Sequence, residues 1–288
     1  MYQELFRIPY LNVPIYGYGV MLVVGFLLAL ELVKFLARRA GLDPEVCVNA
    51  GLIALVSGVI GARLSHVLEN WQEFTRPDVG IGTNLWNAIN IRSGGLTFYG
   101  GMILAFPVTL AYGIWKKMPL RRGMDIFAPC IMVGLGFGRI GCFLNGCCYG
   151  AQCDAGFPLG VHYPADSTPY LDQLHRGEIC PLALHSLPVH PAQLYSTFTS
   201  LLVAAVLVSY FSLKPSPGRV MALMLMLEGV TRFLLELIRS EPAAFPASGL
   251  SWSLSMYIGL LLAIAGALLW IAFADRKPAL TPAAHFTG

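Results

Sequence analysis

MDIFAPCIMVGLGFGRIGCFLNGCCYG, residues 124–150, opens as an apolar run and closes with an arginine and three cysteines among its last twelve residues. A membrane helix needs about 20 predominantly apolar residues. Residues 124–145 supply them, with Arg139 toward one end. A guanidinium at membrane depth costs at least ~2.5 kcal/mol on insertion scales, so it faces a bundle interior or a wet cavity rather than lipid. This stretch therefore reads as a membrane helix that carries a cation for a reason.

The rest of the chain agrees. Of its 288 residues, 56% are hydrophobic and 12% charged, against about 25% charged in a soluble domain. Seven segments qualify as spans: 15–37, 48–69, 97–115, 124–145, 193–213, 218–239 and 251–274. The expected fold class is an all-α polytopic membrane protein, with residues 1–288 forming a single membrane-embedded domain. No cleavable signal peptide is expected, because the first residues hold Glu4 and Pro9 and lack a basic leader. The net charge of +3 is too small to suggest nucleic acid as a partner.

Orientation follows from lysine and arginine in the short flanks. One set of connections holds Arg38, Arg39, Lys116, Lys117, Arg121, Arg122, Lys214, Arg219, Arg276 and Lys277. The other holds Arg7, Arg76, Arg92 and Arg176. The richer side is cytoplasmic, which puts the N-terminus outside and the C-terminus inside. Residues 146–192, rich in Pro, Gly, Asp and His but retaining Tyr, Leu and Val, then form an ordered extracytoplasmic cap loop; a disordered loop is the alternative.

Arg232, Glu236 and Arg239 recur at i, i+4 and i+7 and share one helical face. Glu236 can pair with either arginine, leaving a guanidinium for another anion. Arginine suits phosphate, since it stays charged and offers a planar fork of donors. Structural ion pairing is the competing reading for Arg139 and Arg232, and snorkelling to water for Arg239. Gly134, Gly136, Gly138 and Gly141 surround Arg139 and permit close helix approach, packing being the reading for Gly134 and Gly138.

Four motifs in order carry a resemblance: RSGGLTFYGGMI (92–103), GLGFGRIGCFLNGCCYG (134–150), HPAQLYS (190–196) and EGVTRFLLELIR (228–239). Together they resemble the prolipoprotein diacylglyceryl transferases, from about Tyr18 to the seventh span. The resemblance implies transfer of a diacylglyceryl group from phosphatidylglycerol to the lipobox cysteine of a prolipoprotein signal peptide. A thioether forms and glycerol phosphate leaves, at the outer face of the bacterial cytoplasmic (inner) membrane among its lipids. It implies no cofactor and no metal. Arg139 and Arg232 match the arginines that handle phosphate. Tyr18, Arg63, Asn145, Gly150, Glu236, Arg239 and His190 match further substrate-binding positions. Tyr99 stands where some members carry histidine. A tyrosine titrates near 10 and a histidine near 6.5, so base and hydrogen-bond donor to phosphate both stay open for Tyr99. Cys142 and Cys147 replace an asparagine and a glutamate of some members. The alternative is a diverged member that binds or transports an anionic lipid or small anion without transfer chemistry.

The chain has seven cysteines, an odd number that excludes complete internal pairing. Cys47 and Cys130 lie in or near apolar segments as small hydrophobes. For Cys142, Cys147, Cys148, Cys153 and Cys180 the readings are inert thiols, a disulfide with Cys153–Cys180 the best-placed pair, or metal ligation. Metal ligation faces the objection that the adjacent Cys147 and Cys148 would have to share one tetrahedral site. The scattered His162, His175 and His185 read as loop residues.

Overall fold

The computed structural model describes residues 4–8, 13–75, 79–90, 95, 97–239 and 252–274. Arg76, Arg92, Arg276 and Lys277, used above for orientation, lie outside the described residues. The chain divides into two compact units, Met1–Leu32 with Met124–Gly288, and Val33–Gly123.

In the first unit β1 (Glu4–Ile8) and β2 (Val13–Tyr16) pair antiparallel, Arg7 opposite Pro14 and Ile8 opposite Val13. This hairpin is an addition to an otherwise helical chain. It leads directly into α1 (Gly17–Ala40), which continues into the second unit and carries Arg38 and Arg39 in its last turn. Gly41, at φ +69°, closes it: Gly41 N donates to Arg38 O and Leu42 N to Ala37 O. That is the Schellman pattern, in which a left-handed residue satisfies the last carbonyls.

The second unit contains α2 (Pro44–Glu69), the single turn α3 (Trp71–Phe74), α4 (Ile81–Ile89) and α5 (Phe98–Trp115). Asp43 caps α2 by accepting from Glu45 N, and Pro44 occupies the first turn, where its missing N–H costs nothing. Helices α2 and α5 approach through glycine. A Cβ on Gly61 would lie 2.5 Å from the Gly100 carbonyl, and one on Gly100 would lie 2.7 Å from the Gly61 carbonyl. Only residues without a side chain allow that spacing.

The first unit is completed by α6 (Leu120–Asn145), α7 (Thr168–His175), α8 (Ala192–Ser212), α9 (Arg219–Glu236) and α10 (Leu254–Ala272). Helices α9 and α10 lie against each other along Gly229, Gly259 and Gly266; a Cβ on Gly229 would meet Ala263 N and Gly259 O at 2.5 Å. At the start of α9 the fully buried carboxylate of Asp125 accepts from Gly218 N at 2.7 Å and Met221 N at 3.0 Å. It thus satisfies amides that a helix N-terminus leaves without an internal partner.

All seven apolar segments are helical. Five of the helices, α1, α2, α6, α8 and α10, are long and apolar enough to cross a membrane. The apolar part of α5 is shorter, Tyr99–Trp115. Helix α9 has 18 residues and carries Arg219, Glu228, Arg232 and Glu236, so its sequence is shaped by polar partners as much as by lipid. The protein is an all-α polytopic membrane protein.

The 146–192 connection is built rather than loose. Tyr163 is fully buried within it, and its N–H donates to Ser186 Oγ. The Gln173 amide holds Leu187 at both backbone atoms. Short antiparallel bridges join Gln152 and Val161 to Val189, and Pro164 to His185.

Candidate anion-binding site

The site lies in the first unit, where α1, α6, α9 and the start of α10 come together. Its base is the Arg232, Glu236 and Arg239 set; α9 carries the first two, and Arg239, expected on the same helical face, follows in the turn past the helix end, where its backbone N–H donates to Glu236 O at 3.1 Å. Glu236 is buried; its Oε2 lies 3.5 Å from Arg232 Nη2 and 3.7 Å from Arg239 Nη1. Its other oxygen accepts from Ser253 Oγ at 3.1 Å. Ser253 is the N-cap of α10, and the same hydroxyl accepts from Met256 N. Arg232 Nη2 also donates to Ser255 Oγ at 2.7 Å. One carboxylate thus orients two arginines, and two serines fix the carboxylate and one guanidinium.

Arg139 enters from α6, half-buried, and among the described residues its guanidinium makes no hydrogen bond and no ion pair. Its charge acts on Arg232 and Glu228, and on Tyr18. Three guanidiniums against the formal charges of Glu228 and Glu236 leave the cluster net positive. Among the described residues Arg232 is bound through Nη2 alone, and its remaining N–H donors face no partner there. Among the described residues three cations are thus held together with two carboxylates, which is the electrostatic signature of a site for an anion from outside.

The close approach of Tyr18 has a visible cause. A Cβ on Gly141 would lie 2.9 Å from the Tyr18 ring and 3.3 Å from its backbone, so glycine at 141 seats the start of α1 two residues beyond Arg139. Packing was expected at Gly134 and Gly138 instead. A Cβ on Gly134 would meet nothing within 4 Å, and one on Gly138 only Leu22 at 3.8 Å, whereas one on Gly136 would meet Leu201 at 3.1 Å. The tight positions are Gly136 and Gly141 because those two face neighbouring helices.

Gly150 ties the cap to the site. Its N–H donates to His190 O at 2.8 Å, Ala151 N donates to Ile238 O at 2.8 Å, and His190 N returns a bond to Ala151 O. A Cβ at 150 would stand 2.8 Å from His190 Cβ and 2.9 Å from its carbonyl oxygen. His190 is therefore a strand-like pin between the ends of α6, α8 and α9. Its ring packs edge-on against Phe157, and Nδ1 lies 3.4 Å from the Tyr195 hydroxyl. Asn145 is the last residue of α6, and its side chain reaches the Cys147 thiol.

Arg63 and Tyr99 belong to the second unit. Arg63 is buried and donates to three carbonyls, Ala88, Gly95 and Asn87, at 2.9, 3.0 and 2.6 Å. It binds backbone around α4. Tyr99 is exposed in the first turn of α5.

All seven cysteines are free, so Cys153 and Cys180 are not joined. Two residues outside the expected set shape the site, Ser253 and Ser255, and Gln193 of the HPAQLYS motif supports it from α8. The serines start an apolar run, a position that signals a helix cap. Gln193 is fully buried and donates to Cys147 O at 2.7 Å and to the Tyr163 hydroxyl at 3.2 Å.

Comparison with known proteins gives one answer. Residues 3–272 match the family model described as prolipoprotein diacylglyceryl transferase. A phosphatidylglycerol–prolipoprotein diacylglyceryl transferase of Rhodopirellula baltica is 37% identical over 174 residues, which cover 60% of this chain and 35% of that one. The protein of the same name from Clostridium tetani is 26% identical over 264 residues, 91% of this chain and 95% of its own. That of Cronobacter sakazakii is 29% identical over 276 residues, 92% and 91% of the two chains.

Proposed function

The chain belongs to the prolipoprotein diacylglyceryl transferase family, and from that premise we propose that Arg139 and Arg232 are the phosphate-binding pair of its active site. The protein is a membrane transferase that uses phosphatidylglycerol as donor and a prolipoprotein as acceptor. The acceptor atom is the thiol sulfur of the lipobox cysteine, and the site opens toward the outer face of the cytoplasmic membrane. The single observation behind the assignment of the pair is the Arg139 guanidinium, which makes no hydrogen bond or ion pair among the described residues and stands within electrostatic reach of Arg232.

The reaction needs little beyond that. The acceptor thiolate attacks the glyceryl carbon, a C–S bond forms, and the C–O bond to phosphate breaks. The phosphate departs as glycerol phosphate with the electron pair. Negative charge therefore gathers on the phosphate oxygens as the bond breaks. Donors fixed in advance by Glu236, Ser253 and Ser255 meet that charge without reorganisation, and a preorganised donor of this kind is worth roughly 10²–10³ in rate. The same positive field favours a thiolate over a thiol. Arg139 supplies charge from α6 and Arg232 a directed fork from α9. Tyr18 lines the approach at the start of α1. Gly150, His190 and Asn145 hold the end of α6 in place. Arg239 shares Glu236 with Arg232. Tyr99 enters this reading on its motif position alone, and Arg63 on its matched family position alone.

The test is transfer by purified chain from phosphatidylglycerol to a lipobox peptide, followed by glycerol phosphate release and peptide mass. The expected result is thioether product with wild type and loss of about 10²–10³ in kcat with Arg139→Ala. Full activity in that variant overturns the assignment. Phosphatidylglycerol binding without product from the folded wild type supports the diverged, non-transferring alternative.

A further inference from the structure

Helix α6 ends as a Schellman motif: Gly146, at φ +74°, donates to Phe143 O, and Cys147 N donates to Cys142 O. This motif brings together the side chains three residues before the helix cap, Asn145, and two residues after it, usually as an apolar contact. Here those two positions are Cys142 and Cys147. Cys148 follows with φ +59°, a left-handed conformation uncommon outside glycine. In extended chain, neighbouring side chains point to opposite sides; the left-handed residue breaks that alternation. The Sγ atoms of Cys142, Cys147 and Cys148 consequently lie within 4.8 Å of one another, all half-buried. The objection that adjacent cysteines cannot share a site is met by the backbone.

We propose that Cys142, Cys147 and Cys148 form a three-sulfur binding site for a soft, thiophilic metal cation of the zinc, cadmium or copper(I) class. Around an ion with metal–sulfur bonds of about 2.3 Å, tetrahedral geometry separates the sulfurs by about 3.8 Å. Small side-chain rotations reach that from the present spacing. Thiolate ligands select these ions over hard cations. The frame is held from three sides: Gln193 fixes the Cys147 carbonyl, the Gly146 turn fixes the helix end, and the Gly150–His190 bonds fix the exit. Such fixed ligand loops favour binding over collapse of the site. Three thiolates around a divalent ion leave one excess negative charge. The charges of Arg139 and Arg239 both act at Cys148 and offset it. Three protein ligands leave a fourth position open. Inert thiols would need neither the convergence nor the left-handed residue.

The test needs neither lipid nor peptide, so its outcome is separate from that of the transferase reading. The full chain in detergent, kept reduced with a phosphine, is titrated with Cd²⁺. The expected result is thiolate-to-metal charge-transfer absorption that saturates at one ion per chain. In the wild type, Cd²⁺ shields Cys142, Cys147 and Cys148 from alkylation while Cys153 and Cys180 stay labelled, a readout that no folding defect of a variant can affect. Cys142→Ser, Cys147→Ser and Cys148→Ser each weaken binding at least ~10-fold, and each removes the Cd²⁺-dependent rise in thermal midpoint that linkage requires. Cys153→Ser and Cys180→Ser titrate as wild type. Absence of charge-transfer absorption, equal alkylation of all exposed thiols, or a disulfide within the trio that survives the reductant overturns the proposal.

Discussion

Arg232 Nη2 lies 3.5 Å from Glu236 Oε2, one helical turn along α9, and that carboxylate lies 3.7 Å from Arg239 as well. One buried anion therefore holds two cations in a shared plane of electrostatic balance. Glu236→Gln keeps the shape and removes the charge, leaving two guanidiniums facing each other. The expected outcome is a loss of roughly 1–3 kcal/mol of stability, together with a fall in transfer activity. Glu236→Asp recovers part of both. Thermal unfolding and kcat measured on the same preparations check the pairing.

Arg139 behaves in the opposite way. It makes no hydrogen bond or ion pair among the described residues and stands in the field of Arg232. Arg139→Ala relieves repulsion, so its thermal midpoint equals or exceeds that of wild type while transfer falls by about 10²–10³. Arg139→Lys keeps the charge and loses the fork, and retains an intermediate rate. A midpoint lowered as much as the activity would mark Arg139 as structural.

Gly150 tolerates no side chain. An added Cβ meets His190 Cβ at 2.8 Å and its oxygen at 2.9 Å, with Ile238 O at 3.2 Å behind them. Gly150→Ala forces apart three chain segments that are joined by backbone bonds. A destabilisation of about 1–3 kcal/mol is expected, read as a lower midpoint, with activity reduced because Ile238 adjoins Arg239.

Asp125→Ala strips the start of α9 of both its side-chain acceptors. Loss of a cap costs about 0.5–2 kcal/mol. Asp125→Asn keeps one acceptor oxygen and is expected to lie between Asp125→Ala and wild type in thermal unfolding.

The Tyr149 hydroxyl donates to Asp172 in the cap, and burial first, then this bond and the nearby carboxylate charge, push its pKa above the ordinary tyrosine range. The folded state thus holds the phenolic proton more tightly than the unfolded state. Its contribution is fully present below the unfolded value of about 10 and is lost as pH rises above it. Tyr149→Phe removes this component. Its midpoint is lower than wild type at neutral pH, and its decline between about pH 9 and 11 is shallower. Parallel midpoint curves for the two proteins would place alkaline sensitivity elsewhere.

The helices and the α9 face were legible because their signals are local. Twenty apolar residues read as a helix wherever they fall, and the Arg232–Glu236–Arg239 spacing needs only 3.6 residues per turn. The partner of that face was not legible. Ser253 and Ser255 lie 17 and 23 residues from the groups they bind, in a region where many serines could serve. Arg63 reads in sequence as one more membrane arginine; that three carbonyls of the 87–95 segment surround it depends on tertiary placement. The convergence of the cysteines could have been read, since asparagine–glycine at 145–146 is a helix-end signal that fixes which side chains meet. The left-handed turn at Cys148 has no such signal. The short N-terminal hairpin was not legible either, because neither ELFRI nor VPIY alternates apolar with polar residues and Pro14 argues against a strand.

The bond between Asp125 and Gly218 joins residues 93 positions apart. During synthesis at about 5–20 residues per second, the carboxylate leaves the ribosome roughly 5–20 seconds ahead of its donors. The middle of this chain is therefore born with a vacancy that only its own later half can fill. Maturation of α6 is completed from downstream, and a ribosome stalled between the two residues would hold an intermediate whose Asp125 carboxylate still lacks its Gly218 donor.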